Sequence, residues 1–271
     1  MVDANGMTHS KKTAFTPQPR GYYRSKIQRS KELLQKQGIF RFIELSLLSL
    51  IEPIRSAKLR HAVAADAARL AVKLNSTGTR GLFIDCGSNV GQGFRFFSQH
   101  YSPDRYDYIL IEPNPNCLPH LKKLGLVGDA HIEILAKAAS TEDGRAKLFG
   151  PPADQRDPTH EGFSIVADHN TALYQAEEFE EGLVETISLS NLIASKHAIY
   201  DVIVMKMDVE GAEYDILQDM IAKGAHRKLG AIYVEFHSQY MTGNSRIEKR
   251  RAEQRIEQTF ETARSTFRRW I

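Results

Sequence analysis

The sequence predicts an α/β fold: a mostly parallel sheet with helices on both faces, extended by helices at both ends. Three observations predict it. Short, nearly continuous apolar runs at 81–86, 106–111, 132–135 and 201–208 read as strands buried on both faces. Helical apolar spacing separates these runs, and several of them end in glycine-rich or acidic turns. The composition fits a globular domain, with 42% hydrophobic and 25% charged residues over 271 positions. A disordered, collagen-like or polytopic membrane chain is thereby excluded.

The elements follow in order. Residues 1–25 are polar and read as an arm, without the apolar core of a secretory signal. Residues 28–54 and 56–75 read as two helices parted at Pro53, with Asn75-Ser76-Thr77-Gly78 as the stop. Gly81–Cys86 is the first strand, and Phe94, Phe96 and Phe97 follow on a helix. Tyr106–Ile111 is the second strand, after which Pro115 opens a helix carrying Leu118, Leu121 and Leu124. Ile132–Leu135 is the third strand. Ala146–Phe149, after the Asp143-Gly144 turn, is the fourth. Residues 150–182 hold Pro151, Pro152, Pro158, Gly162 and the acidic run Glu177–Glu181, and read as a long loop. Val184–Leu189 is a strand, with Ser190 capping a helix at Asn191–Ser195. Residues 201–208 form the most apolar strand, followed by a helix from Ala212 to Lys223 and a strand at Ala231–Phe236. From Ser245 onward, Ile247, Arg251, Ile256, Phe260, Phe267 and Trp270 suggest one basic terminal helix. The expected division is an arm and helical extension at 1–75, a central domain at 76–244 and a C-terminal helix at 245–271.

The net charge of +3 is unevenly spread. Residues 1–60 hold twelve Lys/Arg against four Asp/Glu, and 245–271 hold eight against four, which leaves the centre nine negative. An acidic centre is a poor match for a phosphate backbone, so nucleic acid is not an expected partner. The basic flanks would suit solvated helix faces, a weak contact with an anionic membrane surface, or a homodimer contact. Ile39–Ile54 is apolar at helical spacing but is broken by Arg41, Glu44 and Glu52, and falls short of the ~20 residues a bilayer span needs. Cys86 and Cys117 belong to no CxxC or Cys/His cluster, which fits a reducing compartment and argues against structural zinc. A cytoplasmic, at most membrane-peripheral, protein is expected.

Four strand ends carry the candidate chemistry, because ligands of open α/β sheets bind beyond the carboxyl ends of the strands. The first is Asp85-Cys86-Gly87-Ser88-Asn89-Val90-Gly91-Gln92-Gly93. Gly87 and Gly91 let backbone approach a ligand, with helix N–H groups behind. The glycine spacing differs from the GxGxxG of dinucleotide sites, and the leading Asp85 suits an ammonium such as that of S-adenosylmethionine better than a pyrophosphate. The second is Glu112, 27 residues after Asp85 and followed by Pro-Asn-Pro, placed to accept two ribose hydroxyls. The third is Lys206-Met207-Asp208-Val209-Glu210-Gly211-Ala212-Glu213. Three carboxylates and an ammonium where a buried strand ends must be paired or used. Asp208 is placed to face donor or acceptor, Glu210 and Glu213 to sit on the first turn of a helix, Glu213 structurally, and Lys206 to partner one of the acids. The fourth is Val234-Glu235-Phe236-His237, which brings Glu235 or His237 towards Asp208. His237 is a natural general base for a hydroxyl. The set Asp208, Glu210, Glu235 and His237 would alternatively hold a divalent ion.

These residues resemble the FkbM family of S-adenosylmethionine-dependent methyltransferases over roughly Gly81 to His237. Phe83 to Gly91 resembles the family's D-x-G-A-N-x-G signature, and Ile111 to Pro115 its E-P-x-P signature. Ala138 to Gly144 resembles its A-x-S-x-x-x-G segment, and Lys206 to Glu213 its K-I-D-V-E-G-A-E block. Thr186-Ile187-Ser188-Leu189 stands where the family has T-L-D-x-L, so an acid is missing there and Ser188 and Ser190 are left as caps. The resemblance implies a class I, Rossmann-like methyltransferase fold and methylation of a hydroxyl on a sugar, glycan or natural product. It implies that Asp85, Gly87, Ser88, Asn89 and Gly91 surround the amino-acid half of S-adenosylmethionine and that Glu112 holds its ribose. Asn114, Lys137 and Ala138 would lie by the adenine, and Asp208, Glu210 and His237 would face the methyl group. A divalent metal is possible but not indicated. The competing readings are a non-catalytic interaction module on this fold and a nicotinamide-dependent oxidoreductase.

Overall fold

Every residue of the first strand is buried, which requires cover on both faces of its sheet. A computed structural model describes residues 55–124, 131–156, 161–167, 176–238, 243–263 and 265–270. Helix α1 covers 55–77. There follow β1 (Gly81–Cys86), α2 (Gln92–Phe97), β2 (Tyr106–Ile111), α3 (Leu118–Leu124), β3 (Ile132–Leu135), β4 (Ala138–Ser140), β5 (Gly144–Gly150) and β6 (Glu177–Ser188). The chain continues through α4 (Leu189–Lys196), β7 (Ile203–Met207), α5 (Glu213–Ala222), β8 (Ala231–Val234), α6 (Gly243–Thr262) and β9 (Thr266–Arg269).

Strands β3-β2-β1-β7-β8-β9 form a six-stranded sheet, and all its pairings are parallel. Side chains alternate across it. Leu82, Ile84, Cys86, Met205, Met207, Ile232 and Val234 face Leu192, Tyr214, Leu217, Ile256 and Phe260 of α4, α5 and α6. Phe83, Tyr108, Leu110, Val204 and Tyr233 face Val63, Leu70, Leu74, Phe94, Phe97 and Leu121 of α1, α2 and α3. The chain moves from β1 outward to β3, then crosses back to β7 on the other side of β1. That reversal opens a crevice at the carboxyl ends of β1 and β7, the usual place for a ligand in a doubly wound sheet. A second, three-stranded sheet has the order β4-β6-β5. Among the described residues no helix is long and apolar enough to cross a membrane.

Several expectations change. Ala138–Ser140 forms β4, which the sequence pattern does not mark as a strand, and β5 is longer than Ala146–Phe149. Glu177–Glu181, expected in a loop, opens β6, whose pairing with β5 supplies its backbone hydrogen bonds. Ser188, rather than Ser190, caps α4, accepting from Asn191 N at 3.4 Å. Ser190 instead donates to Asp219. Pro115 lies in a turn, and α3 opens at Leu118. The C-terminal segment is not one helix: Phe267 lies in β9, which pairs with β8, and Trp270 follows it. Trp270 N donates to Val234 O at 2.7 Å, and its ring packs on Phe96 and Phe97. Arg268 anchors the same strand on Asp66 of α1 at 2.9 Å. The helix expected at 28–54 lies outside the described residues.

Candidate active site at the β1–β7 crevice

The crevice is built by backbone first. Gly87 N and Ser88 N donate to Ile111 O of β2, and Asp208 N donates to Cys86 O of β1. The loops after β1 and β7 touch so closely that a Cβ on Gly87 would lie 1.7 Å from Asp208 O. Gly87 also has φ +71°, a left-handed conformation that favours glycine. Asn89 (φ 48°) and Glu210 (φ 51°) are non-glycine residues in the same region, one on each side of the crevice. A glutamate there is held against a backbone cost of ~1–2 kcal/mol. Backbone strain of this kind concentrates at functional sites. Glu210 therefore precedes α5 rather than joining its first turn.

Glu112 directly follows β2 with both oxygens engaged: Oε2 accepts from Asn89 N and Oε1 from Asn114 N, each at 2.8 Å. Each oxygen keeps a second lone pair. Burial pushes the carboxyl up to about 7, while the two amides pull it down. Asn114 is fully buried; its Oδ1 accepts from Asn116 N, and Nδ2 has no partner among the described residues. The Ser88 hydroxyl donates to Asp85 O. Gly91 caps α2 in the left-handed conformation. Lys137 lies between β3 and β4, with its ammonium 2.9 Å from Glu185, and Ala138 is buried in β4.

Asp85 is wholly buried against α2, where a Cβ on Gly93 would meet its Oδ2 at 2.8 Å. Burial raises its pKa, opposed chiefly by Lys206. The Lys206 ammonium is 3.4 Å from Asp85 Oδ1 and 3.3 Å from Asp208 Oδ2, and donates to Gly87 O at 2.7 Å. The expectation that Lys206 partners an acid of its own block is met at Asp208, and Asp85 is a second partner from β1.

His237 is the second buried cation. Its Nδ1 is 3.2 Å from Glu213 Oε1, and its Nε2 is 3.2 Å from Glu210 Oε2 and 3.5 Å from Asp208 Oδ1. Burial alone would lower its pKa, but Glu213, Glu210 and Asp208 outweigh burial and hold it well above the usual imidazole range. Glu213, fully buried at the start of α5, also accepts from Gly211 N and His237 N. Asp208 and Glu210 remain about a quarter exposed, at 27% and 26%. Asp208, Glu210 and His237 each bring a ligand-type atom within 4.8 Å of the others, so three of the four residues considered for a cation converge. Glu235 lies beside them at the end of β8, its carboxyl pushed up to about 8 by burial and Asp208. The crevice thus presents an acidic rim over two buried cations.

A parallel sheet with a glycine-bearing turn, an acid directly after β2 and an acidic rim beyond β7 is the architecture of a Rossmann-like methyltransferase. The family profile described as Methyltransferase FkbM domain matches residues 85–268. The chain belongs to that family. No curated protein matches it. Among solved structures it is similar to a methyltransferase FkbM from Methylobacillus flagellatus KT, at 16% identity and a TM-score of 0.33, over 53% of this chain and 30% of that one. This chain thus spans less than a third of that protein. It is also similar to the plantazolicin methyltransferase BpumL solved with SAH, at 12% identity and a TM-score of 0.31, over 90% of this chain and 77% of that one. A third is the Burkholderia thailandensis 1,6-didemethyltoxoflavin-N1-methyltransferase, at 11% identity and a TM-score of 0.18, over 68% of this chain and 80% of that one.

Proposed function

We propose that the chain transfers a methyl group from S-adenosylmethionine to a hydroxyl of a small molecule, sugar or glycan. The single observation that carries this reading is the acidic rim of Asp208 and Glu210 at the mouth of the β1–β7 crevice. It suits a donor that is cationic at both sulfur and amine, and it disfavours a pyrophosphate. The crevice fits the donor in two further ways. Gly87 leaves no room for a side chain where backbone must approach a ligand, and Glu112 has lone pairs left for two ribose hydroxyls. Asn89 and Gly91 shape the amino-acid side of the pocket, and Asn114 the adenine side. Ser88 supports the loop by capping Asp85 O. Lys137 and Ala138, at the entry to the second sheet, border the adenine side at a greater remove.

S-adenosylmethionine, when bound, supplies the methyl group on a sulfonium. The chain's part is to align acceptor and donor and to receive one proton. Asp208 receives it in this reading. Its carboxylate is fixed between Lys206 and His237, and each oxygen keeps a lone pair for the acceptor. The hydroxyl proton becomes strongly acidic as its oxygen takes the methyl group, so a well-placed carboxylate suffices. His237, read from the sequence as a candidate base, acts here as an imidazolium that orients Asp208 and Glu210.

Calorimetric titration with S-adenosylhomocysteine tests the class, and labelled methyl transfer to a pool of hydroxyl acceptors tests the reaction. Asp208→Asn is expected to retain binding of S-adenosylhomocysteine, which lacks the sulfonium charge, and to slow transfer by about 100-fold. Unchanged turnover would remove Asp208 from the reaction. Binding of a nicotinamide cofactor in place of S-adenosylhomocysteine would favour the oxidoreductase reading, and binding of neither the interaction module. Glu210→Gly separates strain from function. Relief of ~1–2 kcal/mol of left-handed backbone cost should offset the lost pairing with His237, so chemical denaturation should show near-native stability while transfer falls. A large loss of stability would mean that the contacts of Glu210 outweigh the strain of its turn.

A further inference from the structure

The Lys206 ammonium neither gives nor takes the proton in the transfer described above, yet it is buried at the centre of the crevice. Its side chain is 3% exposed. Its neighbours Met205 and Met207 show that β7 is otherwise built from apolar side chains. A buried charge is costly, and apolar replacements of similar size often serve stability as well or better. Stability therefore gives little reason to retain it. Its three acceptors come from two different strand ends. Asp85 and Gly87 belong to β1 and its loop, and Asp208 to the loop after β7. Gly87 is also the residue that packs without a Cβ against Asp208 O. The wholly buried Asp85 carboxylate is compensated chiefly by the Lys206 ammonium, with a smaller share from the Phe94 backbone N–H.

We propose that Lys206 is a positioning residue that locks the cofactor-side loop after β1 to the reacting carboxylate Asp208. Its hydrogen bond to Gly87 O fixes the peptide over which the donor lies. Its contact with Asp208 Oδ2 fixes the carboxylate from below, opposite His237. One side chain thus sets the distance between the two halves of the site. In-line transfer depends on that distance, because a displacement of about 1 Å can slow such a reaction ~100-fold. The inference rests on the reading of the crevice as a methyl-donor site.

The test is a double-mutant cycle of Lys206→Met and Asp85→Asn in the full chain. S-adenosylhomocysteine affinity, melting temperature and amide hydrogen exchange at Gly87–Asn89 are measured for all four proteins. Lys206→Met is expected to weaken S-adenosylhomocysteine about tenfold or more, the loss of a charge-assisted hydrogen bond. The loss should persist in the Asp85→Asn background, with the double variant melting close to Asp85→Asn alone and the loop amides exchanging faster. If the loss disappears once Asp85 is Asn, Lys206 is only a counter-charge and the proposal falls. A wild-type chain that binds no S-adenosylhomocysteine would instead sink the functional reading. Loop exchange then decides the coupling by itself, faster exchange in both backgrounds upholding it and unchanged exchange overturning it. Should Lys206→Met fail to fold, Lys206→Gln, which keeps an N–H donor without the charge, takes its place in the same cycle.

Discussion

Gly87→Ala is expected to abolish S-adenosylhomocysteine binding and to cost about 3–5 kcal/mol of folding stability. Two penalties combine at this position. The backbone is left-handed at φ +71°, which costs a non-glycine residue ~1–2 kcal/mol. The added Cβ would also lie 1.7 Å from Asp208 O and 2.8 Å from Asp208 C, so the loops after β1 and β7 must part. The obstacle is backbone, itself held by Asp208 N donating to Cys86 O at 3.0 Å, and it has no rotamer to yield. Gly91→Ala provides the contrast. Its φ of +93° is no easier, but its Cβ would meet the Leu124 Cδ1 tip, which can swing away. Gly91→Ala should therefore lose less stability and retain measurable binding. Chemical denaturation and calorimetry on both variants check this. A Gly87→Ala protein with native stability and affinity would show that the two loops do not meet as described.

The contrast between these glycines explains what the sequence could and could not reveal. Strands β1, β2 and β3 begin and end where their apolar runs do, each run holding a single acid (Asp85, Asp107 or Glu133) and being bounded by polar or turn residues. The motif residues Gly87, Glu112, Asp208 and His237 were legible because strand ends are where this fold places its ligand. Less visible was what depends on distant partners. β9 reads as the tail of a basic helix until β8 offers it hydrogen bonds and Phe96 and Phe97 receive Trp270. β4 is three residues long and carries too little pattern to register. The left-handed turn at Glu210 leaves no trace in composition, since glutamate gives no sign of such a backbone. The upward pull on the His237 pKa was equally hidden. A histidine at a strand end suggests a base, and only the convergence of Glu213, Glu210 and Asp208 makes it a fixed cation.

That convergence leads to the second large effect. Glu213→Ala is expected to destabilise the chain by about 3–5 kcal/mol, the usual cost of removing one partner from a buried ion pair. Glu213 is fully buried and serves three donors: Gly211 N at 2.8 Å, His237 N at 3.0 Å and His237 Nδ1 at 3.2 Å. Alanine leaves two backbone amides unpaired and weakens the hold on the imidazolium, whose pKa should fall towards the ordinary range. Glu213→Gln divides the effect. The amide keeps one acceptor oxygen but turns an NH2 towards a donor, so one hydrogen bond is lost along with the charge, at ~1–3 kcal/mol. Chemical denaturation gives the two stabilities, and titration of the His237 ring followed by NMR gives its charge. If His237 only packs, both variants should leave its titration unmoved. If the imidazolium fixes Asp208, both should lower its pKa and slow methyl transfer beyond the loss of folded protein. A drop in pKa without slower transfer would leave Asp208 oriented by Lys206 alone.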